Sequence, residues 1–574
     1  MRISNYILLL TAVLTRQVTA ALTSNENSTH LPVVDLGYEF HRALWYNPDT
    51  DLYKFQNVRY GRSPTGNLRF RAPQSPLENR TVVQTGAGTR ICPQGQPQWQ
   101  AKTQMAIGKY SNPTVPFTLE GWVEAIKNGM VPPVNINANA TEDCLLLDVH
   151  VPKKVLKAKG KEDKEGVPVL VFIHGGGGVF GSKDGSGPTL FEPSGILAQA
   201  RSAFNQDFVF VTLNYRLGAF GWLNSAEVLA DGDANAALLD QRFALQWVQE
   251  HIHLFGGSKD HVTIMGESGG GSSVLRHLIA AGADQNRLGA SCKPMKKLFH
   301  QAISQSPADV PVATSDPDEL YDGFLKILNA ENLDAVRSMS SAAVIAANAA
   351  QVAAFPHTNY VHAPIVDSNT SFGPVIKSLQ EGKFDKSVKV MAAHNIFEGG
   401  FFFDPNVKTD GAFDEWLKRS LPGLGGEQRE ELMEKIYPPV YDGSLGYVDM
   451  NTRQMKVWGE SAIDCAFNAI SQATKDKTYA YEFGVSPGFH IQDLSYTFGT
   501  PATAMRPSQK SLQLAIASFV LNGVPVLEGG KEFPIFGDKG LLVNITAVGA
   551  MPSVPNNLNQ TRSTCYRQGG IGVV

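Results

Sequence analysis

The chain has 574 residues, of which 43% are hydrophobic and 18% charged, so it can bury a large core. No stretch has the composition of a linker, and we expect a single domain over residues 21–574. The 50 Lys and Arg residues against 54 Asp and Glu give a net charge of −4. That balance offers no electrostatic basis for a nucleic acid or an acidic membrane as a partner.

The N-terminus has the pattern of a secretory signal peptide, predicted over residues 1–20. Arg2 precedes a short apolar run from Tyr6 to Leu14, and Val18-Thr19-Ala20 places small residues at a cleavage position. The run is too short to span a membrane, and no later segment qualifies as a transmembrane helix. Export would expose Asn-x-Ser/Thr sequons to glycosylation, and these begin at Asn27, Asn79, Asn139, Asn369, Asn544 and Asn559.

Two regions precede the main alternation of strands and helices. Residues 36–71 alternate apolar and polar positions between turn signals, which predicts a small antiparallel N-terminal region. Residues 92–144 are mostly irregular, with one short amphipathic piece over residues 119–126. A loop of this length forms either a lid or pocket wall, or a decorated part of the surface.

Buried strands then alternate with a helix. Strands are predicted over residues 145–151, 167–174, 208–213, 261–265, 389–393 and 479–483, and a helix over residues 236–248. Strand–helix alternation predicts an α/β fold with a mostly parallel central sheet and helices on both faces. Residues 315–440 are helix-rich and are expected to cap the sheet.

A glycine-rich loop, residues 175–178, follows the buried strand that ends at His174. Successive glycines let several backbone N–H groups point into one site, as in an oxyanion hole. Residues 176–181 also fit the Gly-x-Gly-x-x-Gly dinucleotide fingerprint. That fingerprint requires a helix next and an acidic residue about twenty positions on, but loop-forming residues follow and position 196 is Ile.

The sequence Gly266-Glu267-Ser268-Gly269-Gly270 lies between a predicted strand and a helical pattern. Gly-x-Ser-x-Gly in this context predicts a nucleophile elbow, which exposes the serine hydroxyl at the start of a helix. A serine nucleophile requires a base and an acid that orients the base. His490 follows a predicted strand and is the candidate base. Glu398 is the candidate acid, with Asp367 and Asp404 as competitors.

Motifs spread over nearly the whole chain resemble the type-B carboxylesterases, the cholinesterase and fungal lipase relatives within the α/β-hydrolase fold. The matching stretches are residues 55–60, 68–70, 142–145, 172–177, 214–218, 238–248, 255–257, 265–271, 395–399 and 490–498.

The resemblance implies that Ser268 is the nucleophile, Glu398 the acid and His490 the base. The backbone N–H groups of Gly176, Gly177 and Gly269 are the implied oxyanion donors.

The resemblance also implies disulfides Cys92–Cys144 and Cys465–Cys565. Of the five cysteines, this leaves Cys292 as the unpaired thiol.

Four positions depart from the family pattern, namely Gly178, Gly269, Pro307 and His394. Gly178 stands where an aromatic side chain is usual, which suggests a wider acyl pocket.

Taken together, the sequence predicts a secreted, glycosylated serine ester hydrolase that acts on a small-molecule or lipid ester and needs no cofactor or metal. An interfacial lipase, a secondary-metabolite esterase or lactonase, and an acyltransferase remain alternatives within this chemistry. The rival from another class is a non-catalytic binding homologue, against which the presence of all three triad residues argues. The sequence does not give an oligomeric state.

Overall fold

The computed structural model describes residues 31–100, 102–103, 106, 116–128, 137–158, 165–186, 189–287, 297–309, 317–355, 362–366, 372–499, 505–551 and 554–556. The predicted signal peptide lies outside the described residues. The division into a signal peptide and one domain therefore stays a prediction. Across the described ranges, no helix is both long and apolar enough to cross a membrane.

The strands divide among one large sheet, one small sheet and a short hairpin. In chain order they are β1 (Val33–Asp35), β2 (Glu39–Arg42), β3 (Trp45–Asn47), β4 (Leu52–Arg59), β5 (Asn79–Gln84), β6 (Leu146–Pro152), β7 (Val167–Ile173), β8 (Gly185–Ser186), β9 (Thr189–Leu190), β10 (Val209–Leu213), β11 (Gly257–Glu267), β12 (Gln301–Gln305), β13 (Lys389–Asn395), β14 (Thr478–Phe483), β15 (Leu541–Thr546), β16 (Gly549–Ala550) and β17 (Val554–Pro555).

The helices cover both faces of the large sheet and one end of it. Those with described bounds are α1 (Leu119–Asn128), α2 (Lys153–Ala158), α3 (Ser194–Phe204), α4 (Ala219–Trp222), α5 (Ala226–Asp231), α6 (Ala236–His251), α7 (Gly269–Arg287), α8 (Pro317–Leu328), α9 (Leu333–Ser338), α10 (Ser341–Ala353), α11 (Val375–Gln380), α12 (Asp410–Ser420), α13 (Gly426–Glu431), α14 (Met450–Gly459), α15 (Cys465–Ala473), α16 (Leu494–Thr497) and α17 (Pro507–Asn522).

The large sheet has the order β16-β15-β14-β13-β12-β11-β7-β10-β6-β4-β3, with β17 paired to β15. Every pairing from β10 through β15 is parallel, whereas β6, β4 and β3 extend one edge in antiparallel fashion and β16 and β17 do so at the other. This is the mostly parallel sheet with an antiparallel N-terminal region that the sequence predicts. Strands β12 and β15 were not predicted.

Strand β7 shows why the central strands are apolar throughout. Its alternate residues Val169, Val171 and Ile173 lie in a hydrophobic cluster with side chains of α6 and α7. The intervening Leu170 and Phe172 lie in a second cluster with side chains of α3 and α17. Because successive side chains of a strand point to opposite faces, a strand covered on both sides must be apolar at every position.

Two further hydrophobic clusters lie outside the sheet and form the helical cap. One contains side chains of α1, α12 and α14, and the other contains side chains of α4, α8, α9 and α10. The helix-rich region that the sequence places over residues 315–440 accordingly supplies part of each cluster. The first of these clusters includes Phe401 and Phe489, which are close in sequence to the predicted site residues Glu398 and His490.

Candidate active site

Ser268 lies between the last residue of β11 and the first residue of α7, with a φ of 58°. A side chain at neighbouring positions would not fit this turn. A Cβ atom on Gly266 would lie 2.4 Å from the carbonyl oxygen of Gly270, and one on Gly270 would lie 2.1 Å from the carbonyl oxygen of Ile173. The small residues of the motif are therefore required by close backbone contacts, and the positive φ of a non-glycine residue marks a strained turn of the kind found at functional sites.

The close backbone contacts in this turn predict that a side chain at Gly270 destabilises the fold. We expect Gly270→Ala to lower the free energy of unfolding by about 3 kcal/mol or more, because the new methyl group overlaps a backbone oxygen that cannot move without displacing β7. Urea unfolding followed by tryptophan fluorescence measures the loss. Gly269→Ala is the matched control, because a Cβ atom there would meet nothing closer than 3.6 Å. Equal stability of the two variants would contradict this account of the turn.

The side chains of Ser268, His490 and Glu398 form a continuous chain of hydrogen bonds. His490 Nε2 lies 2.8 Å from Ser268 Oγ, and His490 Nδ1 lies 2.6 Å from Glu398 Oε2. All three are at least nine-tenths buried. The serine, acid and base come from the segments after β11, β13 and β14, since the carboxyl ends of parallel strands meet at one edge of the sheet.

The structure distinguishes Glu398 from the competing acids. Its second oxygen, Oε1, accepts a hydrogen bond from the Asn395 N–H at 2.6 Å, so the carboxylate is held from both sides. Asp404 instead accepts from the backbone N–H and side-chain amide of Asn406 within its own turn. Asp367 lies outside the described residues.

Two further buried carboxyl groups surround this chain of hydrogen bonds. Glu267 Oε1 lies 3.6 Å from His490 Nε2, and burial raises the pKa of Glu267 well above its usual value, with the negative charges of Asp493 and Glu398 adding to the effect. Burial, with the charge of Glu398, also raises the pKa of Asp493 to about 6. Asp493 accepts a hydrogen bond from the Gln305 side chain at 2.9 Å. Burial thus favours the protonated form of the Glu267 carboxyl group, which agrees with a structural role.

The glycine loop faces the elbow. The amide nitrogens of Gly177 and Gly178 lie 3.6 and 3.7 Å from the position that a Cβ atom on Gly269 would take. Gly176 has a φ of 104°, and a Cβ atom there would lie 2.0 Å from the carbonyl oxygen of Phe180. Gly178 N–H is therefore a further candidate donor, beside the predicted groups of Gly176, Gly177 and Gly269.

The predicted wider pocket at Gly178 is not open space. Trp222 Nε1–H donates to the Gly178 carbonyl oxygen at 3.0 Å, and the indole would lie 2.8 Å from a Cβ atom on Gly178. Trp222, from another part of the chain, therefore occupies the space beside Gly178. The sequence pattern did not indicate that Trp222 packs beside Gly178.

A pocket that opens to solvent lies beside Ser268. Its walls combine aromatic side chains with polar ones: Tyr215, Trp222, Phe402 and Trp458, and Ser272, Ser273, Arg276, Asp309 and His362. Sequence reasoning did not identify Arg276 or Asp309. The pocket gives an ester carbonyl room to approach Ser268 Oγ.

The loop over residues 92–144 is joined at its ends by a disulfide between Cys92 and Cys144, the pair that the resemblance implies. Its helix α1 buries Trp122, whose ring stacks on Phe489 with 4.2 Å between centroids. Trp122 Nε1–H also donates to the Gly400 carbonyl oxygen at 2.8 Å. The described part of this loop thus packs against the segments that carry His490 and Glu398.

Comparison with known proteins agrees with this geometry. The model of the carboxylesterase family matches residues 44–563. The chain is 33% identical over 558 residues to carboxylesterase patB of Penicillium expansum, covering 94% of this chain and 96% of that protein. It belongs to the carboxylesterase family. The α/β-hydrolase identification made from the sequence is confirmed, and the chain is a carboxylic ester hydrolase.

Other carboxylesterase-family relatives extend the comparison. The secreted triacylglycerol lipase LIP1 of Gibberella zeae is 26% identical over 501 residues, with 82% of this chain and 78% of the lipase covered. Among solved structures, Aspergillus niger EstA superposes with a TM-score of 0.71 at 24% identity, covering 94% of this chain and 98% of EstA. A thermophilic PNB esterase gives a TM-score of 0.69 at 23% identity, covering 92% and 99%. These structural likenesses show the fold.

The remaining predicted residues of this carboxylesterase-family chain divide by location. Cys465 is disulfide-bonded, whereas Cys565 and Cys292 lie outside the described residues. Asn79 and Asn139 are exposed, as a glycosylated residue must be. Asn544 lies in β15 and its amide donates to Glu482 at 2.8 Å, which disfavours a glycan there. Asn27, Asn369 and Asn559 lie outside the described residues.

Proposed function

We propose that the chain is a secreted serine carboxylesterase that cleaves esters through an acyl-enzyme on Ser268. The observation that carries the proposal is the chain of hydrogen bonds from Ser268 Oγ through His490 to Glu398. A histidine held in this way accepts the hydroxyl proton while Oγ attacks the ester carbonyl carbon. Glu398 holds the imidazole in orientation and stabilises its protonated form.

The tetrahedral intermediate places negative charge on the former carbonyl oxygen. Backbone N–H groups of the glycine loop and of Gly269 stabilise it, and each such donor is typically worth about 3–4 kcal/mol in serine hydrolases. Protonated His490 then gives its proton to the departing alcohol oxygen as the carbon–oxygen bond breaks. Water then attacks the acyl carbon while His490 takes its proton. The bond to Oγ breaks as His490 returns that proton to Oγ, which releases the carboxylic acid and restores Ser268.

Secretion is supported by three observations of different kind. The N-terminal apolar run has the signal-peptide pattern, and Cys92–Cys144 is a disulfide of the kind that persists in oxidising compartments. The relative from Gibberella zeae is described as a secreted lipase. We therefore propose that the mature chain acts outside the cell.

Covalent labelling tests the nucleophile directly. We expect paraoxon to abolish aryl ester hydrolysis and to attach one diethylphosphoryl group per chain, found by peptide mass spectrometry on the peptide that contains Ser268. The triad makes this serine far more nucleophilic than the others of the chain. Heat-denatured protein, which has lost the triad geometry, serves as the control and should take up no label.

Two results would contradict the proposal. A label on another residue, with activity lost in step, would mean that Ser268 is not the nucleophile. A folded protein that hydrolyses no aryl ester and takes up no label would favour the binding homologue instead.

A further inference from the structure

The pocket beside Ser268 contains a buried ion pair that the triad does not use. An Arg276 Nη2–H donates to Asp309 Oδ1 at 2.6 Å, and Arg276 is 6% exposed. Its Nη1–H donates to the Gly373 carbonyl oxygen at 3.3 Å, a long hydrogen bond. Its Nε has no hydrogen-bond partner among the described residues. A guanidinium has five N–H donors, so the described contacts leave donors to spare.

Arg276 lies on the same helix as the elbow and reaches towards it. Ser272 and Arg276 are four residues apart in α7, a spacing that places their side chains on one face of the helix, and Ser268 directly precedes the first residue of that helix. Eight residues of helix rise about 12 Å, and long helical side chains lean towards the N-terminus, which brings the guanidinium back towards Ser268. All three residues line the same pocket.

Asp309 completes the polar wall from the neighbouring strand. It lies just after β12, and its backbone N–H donates to the Ala462 carbonyl oxygen at 2.9 Å, so it is anchored to the cap. Because Asp309 neutralises Arg276, a second carboxylate in the pocket would meet like charge. An uncharged oxygen acceptor meets no such opposition and can accept from the remaining N–H groups or from the Ser272 hydroxyl.

An alkyl chain in this part of the pocket would displace water from charged groups without replacing its hydrogen bonds, which is unfavourable. We propose that Arg276, with Asp309 and Ser272, forms a subsite that selects esters bearing an uncharged carbonyl oxygen a few bonds from the scissile ester. The proposal rests on the proposed function and specifies its substrate class. It sets this chain apart from a lipase that accommodates plain acyl chains.

The experiment compares esters matched in length. The acyl arm uses p-nitrophenyl 4-oxopentanoate against p-nitrophenyl pentanoate, and the alcohol arm uses 4-oxopentyl acetate against pentyl acetate. Each kcat/KM is divided by the rate of hydroxide-catalysed hydrolysis of that ester, which removes differences in intrinsic reactivity. We expect wild type to prefer the keto ester by about 10- to 100-fold in one arm, the range of a hydrogen bond to a charged donor. The arm with the preference identifies the half of the ester that occupies the subsite.

Two substitutions test the residue assignment. In Arg276→Met the ratio of the normalised kcat/KM values for the keto ester and the plain ester should fall to about 2 or less. The reason is that the methionine side chain is of similar length but has no N–H donors. Because Asp309 is then left buried without its partner, the double variant Arg276→Met/Asp309→Asn is measured as well. Arg201→Met is the matched control, because Arg201 also pairs with an aspartate, Asp207, at 2.6 Å but lies outside the pocket, and it should keep the wild-type preference.

The outcomes separate this subsite from the function on which it rests. Hydrolysis of both esters by wild type with no preference in either arm would overturn the subsite and leave the serine esterase proposal intact. A preference that survives in a folded Arg276 variant would overturn the role of Arg276. Absence of all hydrolysis together with absence of organophosphate labelling would overturn the proposed function itself.

Discussion

Replacing Ser268 by alanine is expected to lower kcat for aryl ester hydrolysis by about 10⁶-fold, because the oxygen that forms the acyl-enzyme is removed. The backbone N–H groups of the glycine loop would remain, so a residual rate about 10³- to 10⁴-fold above that in water is expected. Steady-state kinetics with p-nitrophenyl acetate measures both rates. In addition, the pre-steady-state burst of p-nitrophenol that accompanies acyl-enzyme formation should disappear.

Ser273→Ala is the control for the Ser268 substitution. Ser273 lines the same pocket, and its hydroxyl donates to the Gly269 carbonyl oxygen at 2.9 Å without contacting His490. We expect only a small change in kcat and an intact burst. Retention of the burst in Ser268→Ala would assign the nucleophile to another residue.

Glu398→Gln should lower kcat by about 10⁴-fold while leaving the fold intact, as expected when the acid of a triad becomes an amide. The carboxylate accepts on both sides, from His490 Nδ1 at 2.6 Å and from the Asn395 N–H at 2.6 Å. An amide has one acceptor atom, so its NH₂ must face one of these donors. Orienting the amide oxygen towards Asn395 would turn the NH₂ towards His490 and favour the imidazole tautomer that cannot accept the serine proton.

The measurement is kcat at a fixed pH near 8, with thermal unfolding followed in parallel. Glu482→Gln provides the matched control, because Glu482 is also buried and its carboxylate accepts from an asparagine, Asn544, at 2.8 Å outside the triad. Its kcat should stay near that of wild type. Equal losses in the two variants would mean that the effect of Glu398→Gln comes from altered packing.

The strands that could be predicted are those whose surroundings are apolar on both faces of the sheet. Strand β7 lies between helices on both faces, so its apolar run follows from burial alone. Strand β12 escaped prediction because Gln301, Ser304 and Gln305 resemble solvent-facing positions, although all are buried. Gln305 donates to Asp493 and Tyr481, and these partners are 188 and 176 residues away. Buried polar groups must be hydrogen-bonded, but the sequence does not show which residue will be the partner.

The site shows the same division. The elbow and the glycine loop are local motifs, since short contacts within a few residues, or to the adjacent strand, force glycine at fixed positions. Two contacts depend instead on how separate elements pack. They are the ion pair of Arg276 with Asp309 and the packing of Trp222 beside Gly178. Periodicity cannot reveal such contacts. The positions of the elbow and the glycine loop could therefore be predicted from the sequence, whereas the polar wall of the pocket could not.

The strand order has a mechanical consequence for the base. His490 follows β14 but contacts a serine that follows β11, and three strand intervals at about 4.8 Å separate these strands by about 14 Å. The segment before His490 must span that distance. Its Phe489 ring stacks on Trp122 of the loop that the disulfide closes. The described part of this loop therefore contacts the residue directly before His490. Because Cys92–Cys144 joins the ends of the loop, the disulfide and the position of His490 are connected through this ring contact.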